Sequence, residues 1–470
     1  MLFNSVEFLF IFLPVTFFVY FALNKLKLVT MATGWLVIAS LAFYSYWKID
    51  YLPLILLSMI FNYTLGTTLS NEKLKINRKL VMLGGIALNV ALLGYYKYFD
   101  FLIQNINALF HSDFNYMNIM LPLGISFFTF QQIAYVVDSY KGLTKEYDFL
   151  TYSLFVTFFP QLIAGPIVHH KEMMPQFANL RNRFINHKNI TIGLFFLAVG
   201  LFKKVLIADY FSPFVQATFD IETHLTFVQS WLAALSYTFQ LYFDFSGYCD
   251  MAVGLGYLFN IVLPQNFNSP YKADSIQDFW RRWHITLSRF LRDYIYIPLG
   301  GNRHGDLKTY RNVFLTFLIG GIWHGANWTF IIWGAIHGLA GCVNRLYTKF
   351  MPSLPKWISI GMTFIFVNFA WVFFRAKDLS RALDILKSMF GMNGFAPVII
   401  DKLRFSFFSG ELKLSMLLLL GAVILLCLPN SNELSKRVKP NLVCGIITFT
   451  LLLLSVLQLN KISEFLYFQF

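Results

Sequence analysis

The chain has 470 residues, 57% of them hydrophobic and only 13% charged, with a formal net charge of +14. Soluble domains carry about 25% charged residues, so this composition excludes an ordinary water-soluble enzyme and points to a chain whose solvent is largely lipid. The positive charge comes with no nucleic-acid-binding motif, so no nucleic acid partner is expected. The charge instead orients the chain, because Lys and Arg are retained in cytoplasmic loops.

Apolar runs recur at 5–23, 29–46, 52–69, 80–98, 118–137, 150–167, 190–209, 226–246, 248–263, 312–335, 356–374, 413–428 and 441–459. A spanning helix needs about 20 mostly apolar residues, so these are the candidate spans. The first run has no basic residue before it and no small-residue cleavage site, which makes it a retained span and not a signal peptide. Lys25 and Lys27 follow it, and Lys73, Lys75, Arg78 and Lys79 follow the third run, which sets the N-terminus outside the cytoplasm. The stretches 138–149 and 168–189 both have a cytoplasmic character, although one apolar run lies between them. That run contains FFPQLIAGP, so a broken or re-entrant segment is expected there.

Farther along, LPLGISFFTFQQIAYVVD offers Ser126, Gln131, Gln132 and Asp138. Tyr237, Gln240 and Asp244 share one helical face in SYTFQLYFDFSGYCD. Intramembrane acids are functional by default, although Asp244 could also sit at a span end. The longest polar stretch, 264–311, holds eight basic residues against four acidic ones and again has a cytoplasmic character. Within it, 278–296 is too charged to span. Phe279, Trp283, Leu287, Phe290, Leu291 and Tyr294 form one apolar stripe, as in an interfacial helix. Its basic face, with Arg281 and Arg282, suits lipid headgroups and salt bridges or, as the functional alternative, an anionic donor. His284 is open to an interfacial and to a functional reading.

Residues 312–338 form an apolar span with His324 near the middle, flanked by Gly320, Gly321, Gly325, Trp323 and Trp328. A polar group in hydrocarbon is costly and usually faces a cavity or a partner. Asn327, three residues on, would share the helical face of His324 and orient it. His337, about 220° around the wheel, would point elsewhere and be structural. Half of the ten tryptophans lie within 280–333, which marks this region as a site or as an aromatic belt. The four cysteines, Cys249, Cys342, Cys427 and Cys444, show no paired spacing, so neither a disulfide framework nor a metal site is expected. There is no linker, composition shift or visible repeat, which makes 1–470 one membrane domain with core motifs over about 120–340 and C-terminal spans over 356–470.

FWRRWHITLSRFLRDYIYIPLGGNRHG followed by GGIWHGANWTFIIWGAIHG resembles the membrane-bound O-acyltransferases. The likeness is to the bacterial branch that holds alginate O-acetyltransferase and the membrane component of peptidoglycan O-acetylation. LPLGISFFTFQQIAYVVDSYKG, FFPQLIAGPI and QLYFDFSGYCDMAVGLG support it. The resemblance implies an all-α polytopic fold, a ring of about 11–13 helices and re-entrant segments around a central funnel or tunnel. His324 matches the family's catalytic histidine and His284 its second conserved polar position. Acetyl-CoA is the implied cytoplasmic donor, with no resident cofactor. The implied partners are membrane lipids and a periplasmic polysaccharide acetyltransferase, and the location is the bacterial inner membrane.

The chemistry agrees with that implication. Moving an acyl group from a thioester to a hydroxyl needs a base for the hydroxyl proton and an acid for the thiolate. Histidine, with an ordinary pKa of about 6.5, can be both. The oxyanion needs a donor, for which Asn327 or a backbone N–H near Gly325 is the candidate. Tyr467, in the aromatic tail SEFLYFQF, resembles C-terminal tyrosines of partner peptides in D-alanylation and so could carry the acyl group; interfacial packing is the plain alternative. Two rivals stand beside this reading: an acyltransferase for teichoic acid or lipid, and a small-solute transporter.

Overall fold

The computed structural model describes residues 1–71, 73, 77–144, 148–395, 410–459, 465 and 466, and among these it is built from helices with no strand. In chain order they are α1 (Phe8–Lys25), α2 (Val29–Ser45), α3 (Ile49–Ser70), α4 (Arg78–Phe110), α5 (Ile125–Tyr140), α6 (Phe149–Thr157), α7 (His170–Ala178), α8 (His187–Ile221) and α9 (Phe227–Leu258). Then follow α10 (Ile276–Arg282), α11 (Ile285–Leu291), α12 (Asp306–His324), α13 (Trp328–Phe350), α14 (Lys356–Arg375), α15 (Leu379–Met389), α16 (Gly410–Cys427) and α17 (Leu442–Val456). Helices α1, α3, α4, α8 and α14 are long and apolar enough to cross a membrane, and α2 and α17 are shorter apolar helices. The protein is therefore an all-α polytopic membrane protein.

Several expected boundaries move. The runs 226–246 and 248–263 meet in one 32-residue helix, α9, which continues through Gly247 and ends at Leu258. The run 150–167 contains no spanning helix. Helix α6 has nine residues, about 14 Å at 1.5 Å per residue, far short of a bilayer. Backbone at such a break must find other partners. Phe159 N–H donates to Ser40 Oγ at 3.1 Å, and the Phe155 carbonyl accepts from Gln131 Nε2 at 2.8 Å and from Gln161 Nε2 at 2.7 Å.

The chain divides into two compact units, one of residues 1–202, 248–265 and the described part of 437–469, the other of 203–247 and 266–436. In the first, the broken segment is pinned by rings: Phe159 meets Phe12 at 5.3 Å, Phe43 at 5.7 Å and Phe259 at 5.7 Å. Asn62 and Asn89 exchange side-chain hydrogen bonds between α3 and α4, at 3.1 and 2.7 Å. Such reciprocal amides are a common means of joining membrane helices. In the second unit, Arg381 on α15 donates to the carbonyls of Thr218, Phe219, Glu222 and Thr223, closing the C-terminal end of α8. This unit carries both histidine motifs.

Candidate active site

His324 does not lie in the middle of a span. Helix α12 ends on it, Gly325 is extended (φ −167°, ψ 156°), and a new helix starts after Asn327. The expected single span is thus an antiparallel hairpin. It closes because glycines face each other: a Cβ on Gly321 would stand 2.4 Å from the Phe330 carbonyl oxygen, and one on Gly334 would stand 2.6 Å from that of Phe317. Gly325 sits against the Phe330 ring, where a Cβ would come within 2.2 Å of Cε2. The break also changes the role of Asn327. Its Oδ1 accepts from Thr329 N–H at 3.0 Å and its Nδ2 donates to the Lys377 carbonyl at 2.8 Å. Asn327 therefore caps α13 and does not share a helical face with His324.

His324 is 4% exposed and enclosed by rings: Trp323 at 4.9 Å, Trp333 at 5.1 Å and Phe374 of α14 at 5.1 Å. Trp328, expected beside it, is 52% exposed at the start of α13. His337, expected to point elsewhere, is fully buried and reaches His324 through Trp333, whose ring is 4.8 Å from its own. Trp280 Nε1–H donates to His337 Nδ1 at 3.2 Å, so the neutral imidazole carries its proton on Nε2. Sequence reasoning missed this because a continuous helix was assumed. Once the chain restarts at Asn327, Trp333 and His337 are four apart on one face of α13.

His284 also lies at a break. The stretch expected as one interfacial helix is α10 and α11, with His284 between them at φ +43°, ψ 54°. A left-handed conformation is costly for a side chain larger than Gly and is kept where the surroundings impose it. Here they do. His284 is fully buried, its ring edge-on to Phe245 at 4.8 Å. Its Nδ1 is 3.1 Å from Asn266 Oδ1, which also accepts from Thr286 N–H (3.2 Å) and Thr286 Oγ1 (3.0 Å). The Thr286 amide identifies that Asn266 atom as the acceptor, so His284 Nδ1 carries the proton and Nε2 is the basic nitrogen. Burial pushes the His284 pKa down, so the ring is neutral.

On α9, Tyr237, Gln240 and Asp244 are all buried. The reading of Asp244 as a functional acid meets a partner that the sequence did not suggest: Lys204 of α8, 1% exposed, has its Nζ 2.7 Å from Asp244 and 2.8 Å from Asp209. Arg282 pairs with Asp278 at 2.7 Å along α10, while Arg281 is exposed. Tyr467 lies outside the described residues. Among the described residues no three His, Cys, Asp or Glu side chains are placed to hold a metal ion.

Residues 31–377 match the membrane-bound O-acyltransferase family. Over its whole length the chain is 46% identical to the peptidoglycan O-acetyltransferase of Helicobacter pylori, covering 98% of that protein. It is 40% identical to the probable alginate O-acetylase AlgI of Pseudomonas aeruginosa, over 83% of this chain and 75% of that one. It is 31% identical to the teichoic acid D-alanyltransferase of Bacillus subtilis, over 55% of this chain and 70% of that one.

Proposed function

The chain belongs to the membrane-bound O-acyltransferase family and is an O-acyltransferase; from that premise we propose that it takes an acetyl group from cytoplasmic acetyl-CoA and passes it through the membrane for O-acetylation of peptidoglycan. The observation that carries the chemistry is His324, buried among rings where two helices are interrupted, with a neutral second histidine, His284, in the same compact unit. In this reading His324 takes the proton of the acceptor hydroxyl as the oxygen attacks the thioester carbonyl, then returns a proton to the departing thiolate. His284 Nε2, the basic nitrogen left by the Asn266 contact, helps to hold the acceptor hydroxyl.

The acceptor class is supported by the peptidoglycan-acting relative, which is matched along its whole length. The teichoic acid enzyme is matched over only 55% of the chain, and alginate is the nearer alternative. A small-solute transporter, the rival from another class, is set aside by the family. Delivery to a wall polymer outside the membrane calls for a periplasmic polysaccharide acetyltransferase as partner, with Tyr467 as a candidate relay. The basic short loops support an inner-membrane topology with the N-terminus outside the cytoplasm.

The test is mass spectrometry of muropeptides from a deletion strain complemented with wild type or with His324→Ala. Wild type should restore O-acetylation. The alanine variant, present in the membrane at the same level, should fall by about 10²–10⁴-fold in rate, the usual contribution of a general base. Full acetylation with the alanine variant would rule out His324 as the base, and restored alginate or teichoic acid modification in place of peptidoglycan would move the acceptor.

A further inference from the structure

Asn327 is engaged at the cap of α13 and Trp280 Nε1–H is held by His337, so neither side-chain donor is free. One face of α13 is different. Thr329, Trp333 and His337 follow each other at four-residue steps, and each is at most 1% exposed. Each also carries a buried polar atom with no hydrogen-bond partner among the described residues: Thr329 Oγ1, Trp333 Nε1 and His337 Nε2. Of the three, Trp333 is the one whose ring packs directly on His324, at 5.1 Å. A buried donor left without an acceptor costs about 1–3 kcal/mol, and three in line on one helix face, in an interior otherwise lined by rings, call for an explanation. A ligand whose polar atoms pass along this face would supply the missing acceptors.

We propose that the Trp333 indole N–H is the catalytic donor that holds the oxyanion formed on the acyl group at His324. The inference rests on the acetyl-transfer reading above. In the step, the acceptor O–H bond breaks as its proton passes to His324, and the oxygen forms a bond to the thioester carbonyl carbon. The carbonyl π pair moves onto its oxygen, and that oxyanion accepts from Trp333 Nε1–H. Collapse restores the carbonyl, breaks the C–S bond, and the thiolate takes the proton from His324. Thr329 Oγ1 and His337 Nε2–H flank this donor by one helical turn on each side and meet polar atoms farther along the same ligand. The aromatic packing serves the donor as well: Trp333 lies parallel to Trp371 at 5.9 Å and edge-on to Phe374 at 5.1 Å, so its ring is fixed before substrate arrives.

The test compares the wild-type full-length protein in nanodiscs with Trp333→Phe and with 3-benzothienylalanine incorporated at 333. The second keeps the bicyclic shape and lacks the N–H. Acetyl transfer from acetyl-CoA to added muropeptide as the acceptor is followed by thiol release. Loss of one oxyanion donor lowers kcat by about 10²-fold, with the KM for acetyl-CoA nearly unchanged, as for an interaction made only in the transition state. Thermal stability of the isostere should equal or exceed wild type, because an unpartnered buried N–H has been removed. A purely structural tryptophan predicts wild-type kcat for the isostere and lost stability only in Trp333→Phe, and an isostere that turns over at the wild-type kcat overturns the proposal. A wild type that transfers no acetyl group would sink the reaction itself and this role with it, whereas an active wild type matched by the isostere sinks the role alone.

Discussion

The hairpin that ends in His324 can be opened by a single methyl group. At Gly321 an added Cβ would meet the Phe330 carbonyl oxygen at 2.4 Å, Gly334 Cα at 2.8 Å and Gly334 N at 2.9 Å. All three are backbone atoms, which cannot turn aside as a side-chain end can. Ordinary contact for a Cβ begins at 3.4 Å, so Gly321→Ala must part α12 from α13 by about 1 Å. His324 is three residues away on the same helix and must move with it. A misplacement of about 1 Å can lower a rate by about 10²-fold, while overpacking typically destabilises by about 1–3 kcal/mol. Two controls set the scale. Gly341→Ala meets a side-chain methyl of Val313 at 3.1 Å and should be milder, and Gly84→Ala has nothing within 4 Å. The last should gain roughly 0.5–1 kcal/mol from helix propensity. The assay is acetyl transfer together with thermal unfolding of the detergent-solubilised protein, read for all three variants. The order of damage should be Gly321, then Gly341, then Gly84. A Gly321→Ala protein with wild-type rate and stability would show that the two helices are not packed at this distance and that the hairpin does not place His324.

Asn266→Ala removes the oxygen that accepts from His284 Nδ1, Thr286 N–H and Thr286 Oγ1. At about 1 kcal/mol for each hydrogen bond, a loss of roughly 3 kcal/mol is expected. Retained activity at wild-type stability would show that Asn266 does not fix the His284 tautomer. Tyr467→Phe should abolish both thiol release from acetyl-CoA and transfer to the polysaccharide, if the tyrosine hydroxyl relays the acetyl group, because the hydroxyl that accepts it is gone. Unchanged muropeptide acetylation in that variant removes the relay.

Fold class was legible from composition, since a chain with 13% charged residues and repeated apolar runs has few options other than a helical membrane protein. The break at FFPQLIAGP was legible too, because Pro160, Gly165 and Pro166 declare it. The breaks at the two histidines were harder to read. Around His284 the apolar stripe keeps its period through the interruption, so periodicity gave no warning. At 312–338 the run stays apolar across Gly325 and Ala326, and the N-cap Asn327 was read as a helical neighbour of the imidazole. Lys204 was invisible because its acidic partner Asp244 is forty residues away on another helix, and no pattern within either segment reports a pair at that separation.

Those two hidden breaks bear on how the site works. Inside a regular helix every backbone N–H and carbonyl is paired within the segment, and side chains leave the axis at fixed angles. A histidine in mid-span is confined to the directions that one helix face allows. A histidine at an interruption is released from that constraint but must be held by something else. For His284 the holder is Asn266 together with the left-handed turn; for His324 it is the ring cage and the glycine-closed hairpin. A helix interruption away from water is tolerated where protein covers it, and both histidines are at most 4% exposed. In the proposed acetyl transfer the same burial keeps bulk water from the acyl group, and water is the nucleophile an acyltransferase must exclude.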